Sequence, residues 1–181
     1  MTAPRRHVLC LSGSLRRVSS NTAALEAAQQ LAPATLELEL YQGLGTLPLF
    51  NPDDDAEPLP VPVQSLRDAV GHADALLIAC PEYAHGVPGA FKNLLDWLVG
   101  SVEFPGKRVL LLNTAARGSY HAQEALAEIL YTMSAQLLMA QPVPVALPGA
   151  GCSVAQVLAS AERCAELRAA LDVLVEALPV G

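Results

Sequence analysis

Three short, unbroken apolar runs set the architecture of this chain: VLCL (Val8–Leu11), ALLIAC (Ala75–Cys80) and VLLL (Val109–Leu112). A strand with one face in water alternates apolar and polar residues, because successive side chains point to opposite faces. Continuous apolar runs of this length instead mark strands covered on both faces, as in a parallel sheet flanked by helices. TLELEL (Thr35–Leu40) alternates apolar with acidic residues, so it is expected at an edge. A fifth run, Val143–Leu147, is surrounded and interrupted by Pro142, Pro144 and Pro148. Proline cannot donate to an inner ladder, which places this strand at the other edge.

Helical patterns lie between the runs. Asn21–Ala32 puts Leu25, Ala28 and Leu31 on one stripe, and Val63–Gly71 is short and amphipathic. Pro88–Val99 begins with proline near its first helical position and aligns Phe91, Leu94, Leu95 and Leu98. His121–Met133 and Ala159–Leu178 complete the set. Five strands alternating with five helices predict a doubly wound α/β fold over residues 1–181 as a single domain. With the second and fifth strands at the edges, the expected order is the flavodoxin-like 2-1-3-4-5.

Ligands of such sheets bind beyond the carboxyl ends of the strands, where the winding reverses. Three loops leave those ends: Ser12–Ser20, Pro81–Val87 and Asn113–Ser119. The first lies within LSGSLRRVSSN (Leu11–Asn21), which concentrates two arginines and four serines in a chain of net charge −7. A helix is expected to open there near Ser20 or Asn21, and its free N–H groups and dipole make an anion site. Ser14, Ser19, Ser20 and Asn21 can hydrogen-bond a phosphate, and Arg16 can add a charge-assisted bond. The same serines and asparagine can equally cap the helix while the arginines stand in water. Neither the GxGxxG of a dinucleotide fold nor the GxxxxGK[ST] of a P-loop is present, so a terminal monophosphate, such as that of FMN, suits the turn best.

Other classes are excluded by composition. The 18 acidic against 11 basic residues leave no basic face for nucleic acid or an anionic membrane, and no apolar run is long enough to span a bilayer. Cys10, Cys80, Cys152 and Cys164 show no ligand spacing, so no metal is expected; Cys10 and Cys80 read as small buried hydrophobes. The charged start of the chain leads into a run that stops after Leu11, so it reads as a strand of a cytoplasmic protein rather than a signal segment.

GSLRRVSSN resembles the GSLRxxSxN turn of the NADPH-dependent FMN reductase family, which includes quinone, azo-dye and chromate reductases; Gly13, Ser14, Leu15, Arg16, Ser19 and Asn21 match. PEYAHGVPGAFKNLLDWL (Pro81–Leu98) is similar to that family's PEYNxxxPGxLKNxxDWL, in which PEY borders the flavin ring. Pro81, Glu82, Tyr83, Pro88, Gly89, Lys92, Asn93, Asp96 and Trp97 match, whereas Ala84 stands where asparagine is common. The resemblance covers Val8 to about Val145. It implies FMN contacts from Ser14, Leu15, Arg16, Ser19, Ser20 and Asn21, then from Pro81, Glu82, Tyr83, Ala84 and Gly86, with backbone N–H groups of Glu82 through Gly86 facing the ring. Thr114, Ala116 and Gly118 are implied as further contacts, chiefly through backbone, although Ala116 departs from the serine or glycine often seen. Arg117 is read either as an attractor of NADPH phosphates or as a surface charge. The resemblance also implies a homodimer or homotetramer; Trp97 reads either as core or, as the resemblance implies, as part of the interface, which is favoured because Phe91, Leu94, Leu95 and Leu98 already supply the inward face of the helix.

Around this site His85 reads as a solvated loop histidine, Lys92 and Asp96 as a surface pair one turn apart, and Asp53–Asp55 as a solvated turn. The proline-rich segment Gly43–Pro62 is long enough to be functional or lid-like, and its LPLFNPD resembles the family's segment after strand 2, which implies a place near the active-site rim. The function implied is an oxidoreductase moving hydride from NADPH or NADH through FMN to a quinone-like acceptor with ping-pong kinetics. No catalytic side chain is expected, because the cofactor carries the chemistry. The alternatives are an FMN-binding electron carrier without NAD(P)H turnover and a flavin-free scaffold on the same fold. An aromatic content of 4% leaves few rings for the sandwich that such carriers use.

Overall fold

The computed structural model describes residues 5–115, 120–149 and 151–179. Among the described residues six strands, β1 (Arg6–Ser12), β2 (Leu36–Leu40), β3 (Ala75–Ala79), β4 (Arg108–Asn113), β5 (Gln136–Leu137) and β6 (Val143–Pro144), form one parallel sheet. Their order is β2-β1-β3-β4-β5, with β6 also on β4, as the flavodoxin-like reading requires. The helices are α1 (Ser20–Leu31), α2 (Val61–His72), α3 (Gly89–Val99), α4 (Tyr120–Thr132), α5 (Val154–Leu158) and α6 (Ala161–Ala177).

Alternation along the buried strands divides the interior in two. Val8, Cys10, Leu77, Leu110 and Leu112 face α1, α5 and α6, where they meet Leu25, Ala28, Leu167 and Leu174. Leu9, Leu11, Leu76, Ile78 and Leu111 face the opposite way, against Leu66 of α2, Phe91 and Leu95 of α3 and Leu130 of α4. The edge strand β2 shows the expected pattern, with Leu36 and Leu38 buried and Glu37 and Glu39 exposed.

Two elements differ from expectation. The fifth strand is split: Gln136 and Leu137 pair with Arg108 and Val109, and Val143 and Pro144 pair with Leu112 and Asn113. Gln136–Leu137 is too short and polar to register as an apolar run, and the prolines confine the second piece to the sheet edge. The expected last helix, Ala159–Leu178, is present as α6, but the short helix α5 precedes it unannounced; Ser153 and Ser160 cap the two separately, accepting from Gln156 and Arg163 N–H groups.

The Gly43–Pro62 segment is laid over α3. Trp97 Nε1 donates to Pro48 O at 2.8 Å, Asn93 Nδ2 donates to the same oxygen at 2.9 Å, and Phe50 N–H donates to Asn93 Oδ1 at 2.7 Å. Phe50 meets Trp97 edge to face with ring centroids 5.0 Å apart. Trp97 is therefore wholly buried within one chain, not in a subunit interface. The inward stripe of α3 was complete without it, but this segment gives the helix a second buried side. Nor is all of Asp53–Asp55 solvated: Asp55 accepts from Arg67 Nη2 at 2.7 Å, and Arg67 also donates to Trp97 O at 2.9 and 3.2 Å. Lys92 and Asp96 do form the expected surface pair.

Replacing Arg67 with alanine leaves Asp55 and the Trp97 carbonyl without their partner in a site where the ion-pair side chains are only 11% and 18% exposed. Urea unfolding should show a loss of about 3 kcal/mol with unchanged denaturant dependence. Burial pushes the Cys10 and Cys80 thiols up to about 12, so both stay protonated at neutral and mildly alkaline pH. In the folded protein neither should react with a disulfide reagent at pH 8, and both should react once urea exposes them.

Candidate functional site

β1 leaves the sheet hard against the end of β3. Gly13 N–H donates to Ala79 O at 2.9 Å, and a Cβ on Gly13 would lie 2.7 Å from Cys80 Sγ and 3.1 Å from its Cα. Only glycine passes there without displacing backbone. The chain then turns into α1, whose N-cap Ser19 has extended backbone and accepts from Thr22 N–H at 3.4 Å. Ala23 N–H bonds Ser19 O. The first N–H groups of a helix have no partner within it, and those of Ser20 and Asn21, at the positive end of the dipole, find none among the described residues. Arg16 is exposed on the loop that leads into the helix, and no acidic residue occupies the first turn of α1.

The side chains of this turn divide between two tasks. Ser20 Oγ donates to Gly149 O and accepts from Cys152 N–H, tying the loop before α5 to α1. Asn21 Oδ1 accepts from Thr114 Oγ1 at 2.9 Å, a buried bond that joins the first loop to the third. These three polar side chains hold the walls together. Ser14 is half-buried with its Oγ near Arg16 N–H, while Leu15 is 62% exposed at the mouth.

Across the crevice, Tyr83 and Gly86 exchange backbone hydrogen bonds of 3.1 and 3.0 Å. Between them Ala84 and His85 take φ values of 50° and 60°. Two left-handed residues in a row make a type I′ turn, which favours asparagine and glycine and costs other residues about 1–2 kcal/mol each. Ala84 thus departs from the family's asparagine at a position where the backbone conformation, as well as the side chain, favours asparagine. The N–H groups of Tyr83 and Gly86 are used within the turn, leaving those of Glu82, Ala84 and His85 without acceptors among the described residues.

This loop is fastened to the first turn of α4. Glu82 Oε2 accepts from Ala122 N–H at 2.9 Å, the rings of His85 and His121 stack with centroids 4.3 Å apart, and Gln123 Nε2 donates to Cys80 O at 3.4 Å. His85 is therefore exposed but not simply solvated. His121 and Gln123 were not legible as site residues, since polar positions near the start of an amphipathic helix carry no motif. Ala116, Arg117 and Gly118 lie outside the described residues.

Between the first and second loops opens a cavity of about 330 Å³ bounded by Gly13, Leu15, Arg16, Tyr83, Pro88 and Gly89. A Cβ on Gly89 would meet nothing within 4 Å, so the space over the start of α3 is open. Leu44 and Gly45, together with Tyr41 and Arg17, line a neighbouring cavity of about 320 Å³ on the β2 side, which brings the long segment to the rim as expected. Among the described residues no group of three or more His, Cys, Asp or Glu could hold a metal. No described helix is long and apolar enough to cross a membrane. Neutral N–H donors beside one guanidinium could hold a phosphate monoester, and the apolar walls could take a flat ring.

Comparison with known proteins agrees with this geometry. The family described as NADPH-dependent FMN reductase matches residues 6–147. An NAD(P)H-dependent FMN reductase of Pseudomonas aeruginosa is 39% identical over 127 residues, 66% of this chain and 68% of that protein. A quinone reductase of Escherichia coli is 34% identical over 128 residues, 66% of this chain and 68% of its own length. Among solved structures, the flavoenzyme NAD(P)H:(acceptor) oxidoreductase FerB of Paracoccus denitrificans superimposes with a TM-score of 0.71 at 28% identity, covering 94% of this chain and 98% of that one. Fold, motif positions and sequence similarity thus converge, and the chain belongs to the NADPH-dependent FMN reductase family.

Proposed function

We propose that the protein is an NAD(P)H-dependent oxidoreductase that holds FMN at the mouth between β1 and β3 and reduces a quinone or similar electrophile. The observation that carries this reading is the crevice of about 330 Å³ that Gly13, Leu15 and Arg16, on the loop leading into α1, form with Tyr83, Pro88 and Gly89, beside a turn in which the N–H groups of Glu82, Ala84 and His85 have no acceptor among the described residues. The fit is chemical as well as spatial. A doubly charged phosphate needs donors and a cation, and a reduced flavin needs donors along one edge and apolar surface on its faces. When bound, FMN supplies the two-electron relay between a nicotinamide donor and the acceptor.

The chain's own residues bind and position. The N–H groups of Ser20 and Asn21 and the Ser14 hydroxyl take the phosphate, and the Arg16 guanidinium adds charge-assisted bonds. Ser19 sets the helix start from which those donors point. The free N–H groups of Glu82, Ala84 and His85 face the ring edge on which negative charge gathers when it is reduced. Leu15, Pro81, Tyr83 and Pro88 shield the ring from water. Thr114 holds the third wall through Asn21, and Ala116 and Gly118 are read as backbone contacts beyond it.

The same reading takes residues 1–181 as one domain and the assembly as a homodimer or homotetramer. With Trp97 inside the chain, an interface must draw on exposed apolar side chains such as Val99 and Val102, which are 63% and 89% exposed. Four free, buried thiols suit a reducing cytoplasm.

Protein loaded with FMN should lose its yellow absorption when NADPH or NADH is added without oxygen and regain it on addition of menadione. A chain that takes up no FMN, or takes it up but is not bleached by either nicotinamide, would refute the reading. Replacing Arg16 with alanine should raise the FMN dissociation constant about 10- to 100-fold, equivalent to about 1.5–3 kcal/mol, in a fluorescence titration. An unchanged constant removes Arg16 from the phosphate site.

A further inference from the structure

Glu82 belongs to the segment that borders the ring, yet its carboxylate oxygen Oε2 is engaged 40 residues away, 2.9 Å from Ala122 N. Ala122 lies in the first turn of α4, where N–H groups have no partner within the helix and the dipole favours a negative charge. The residues on either side of it hold the same loop: His121 stacks on His85, and Gln123 donates to Cys80 O. Three consecutive residues of α4 thus grip positions 85, 82 and 80 of the loop. Within that grip lies the Ala84–His85 pair, with φ of 50° and 60°. Alanine and histidine keep such a conformation only where the surroundings impose it.

We propose that Glu82 is a positioning residue: its carboxylate clasps the first turn of α4 and so holds the Tyr83–Gly86 turn left-handed, with the Ala84 and His85 N–H groups facing the cofactor. The inference rests on the FMN site proposed above, and it assigns the Glu82 side chain to α4 instead of to the ring. Its charge matters less than its reach, because any acceptor at the position of Oε2 satisfies Ala122. The strain it restrains lies mainly at Ala84, where a glycine would adopt the same backbone without steric cost.

Amide exchange followed by NMR on the FMN-free chain tests the clasp without the cofactor. In Glu82→Ala, the N–H groups of Gly86 and Ala122 should exchange at least tenfold faster than in the wild type. Glu82→Gln, which keeps an acceptor, should stay within threefold. Adding Ala84→Gly to Glu82→Ala should return Gly86 to near wild-type protection and leave Ala122 fast, because glycine relaxes the turn but supplies no acceptor. FMN titration should run in parallel, with at least a tenfold loss of affinity in Glu82→Ala and most of it regained in the double variant. Unchanged exchange at Gly86 in Glu82→Ala overturns the proposal. So does an equal loss of FMN affinity with and without Ala84→Gly, which would mean that Glu82 touches the ring directly. Should Glu82→Ala not fold, Glu82→Asp, one methylene shorter, is read by the same criteria. A wild-type chain that binds no FMN overturns the proposed function, and the exchange data still judge the clasp.

Discussion

Everything at the mouth of this sheet depends on β1 lying between β2 and β3. The helix that follows β1 packs on one face and the helix that follows β3 packs on the other. Their connecting loops must therefore part over the carboxyl ends of the strands, and the gap between them is the crevice. Gly13 sets how near the two strand ends can come, since any side chain there would press on Cys80. The crevice is a product of winding order before any residue lining it is considered.

Within that frame, many polar side chains of the recognisable motifs build the walls and leave recognition to the backbone. Ser20 fastens the loop before α5, Asn21 meets Thr114, Asn93 and Trp97 fasten the long segment to α3, and Glu82 reaches α4. In the proposed site the groups left for recognition are mainly N–H donors of a helix start and of a tight turn. Such donors do not depend on side-chain identity, provided that the backbone conformation is kept. That is why alanine can occupy position 84, although the left-handed backbone there favours asparagine or glycine. The arrangement also reconciles a net charge of −7 with the proposed anion site: the positive potential would come from the α1 dipole and Arg16, locally and without a basic surface.

The apolar runs, the alternating LELEL strand and the prolines near Val143 were enough to determine strand order, edges and which loops leave the carboxyl ends of the strands. These signals are local: hydrophobic period reports how many faces of an element are buried, and proline reports where a ladder bond is missing. The turn into α1 proposed to hold the phosphate was legible for the same reason, because the helix start and the residues around it are neighbours in the chain. What local pattern cannot report is which distant element supplies the covering surface. Trp97 was assigned to an interface because nothing in α3 itself announces the segment at Pro48–Phe50, and Asp55 was left in water because Arg67 belongs to another element. The division of the serines and asparagine into donors and fasteners, the grip of His121, Ala122 and Gln123 on the second loop, and the split of the fifth strand were decided by tertiary structure alone. Each is a contact between residues far apart in sequence, and its partner exists only after the sheet has brought the loops together.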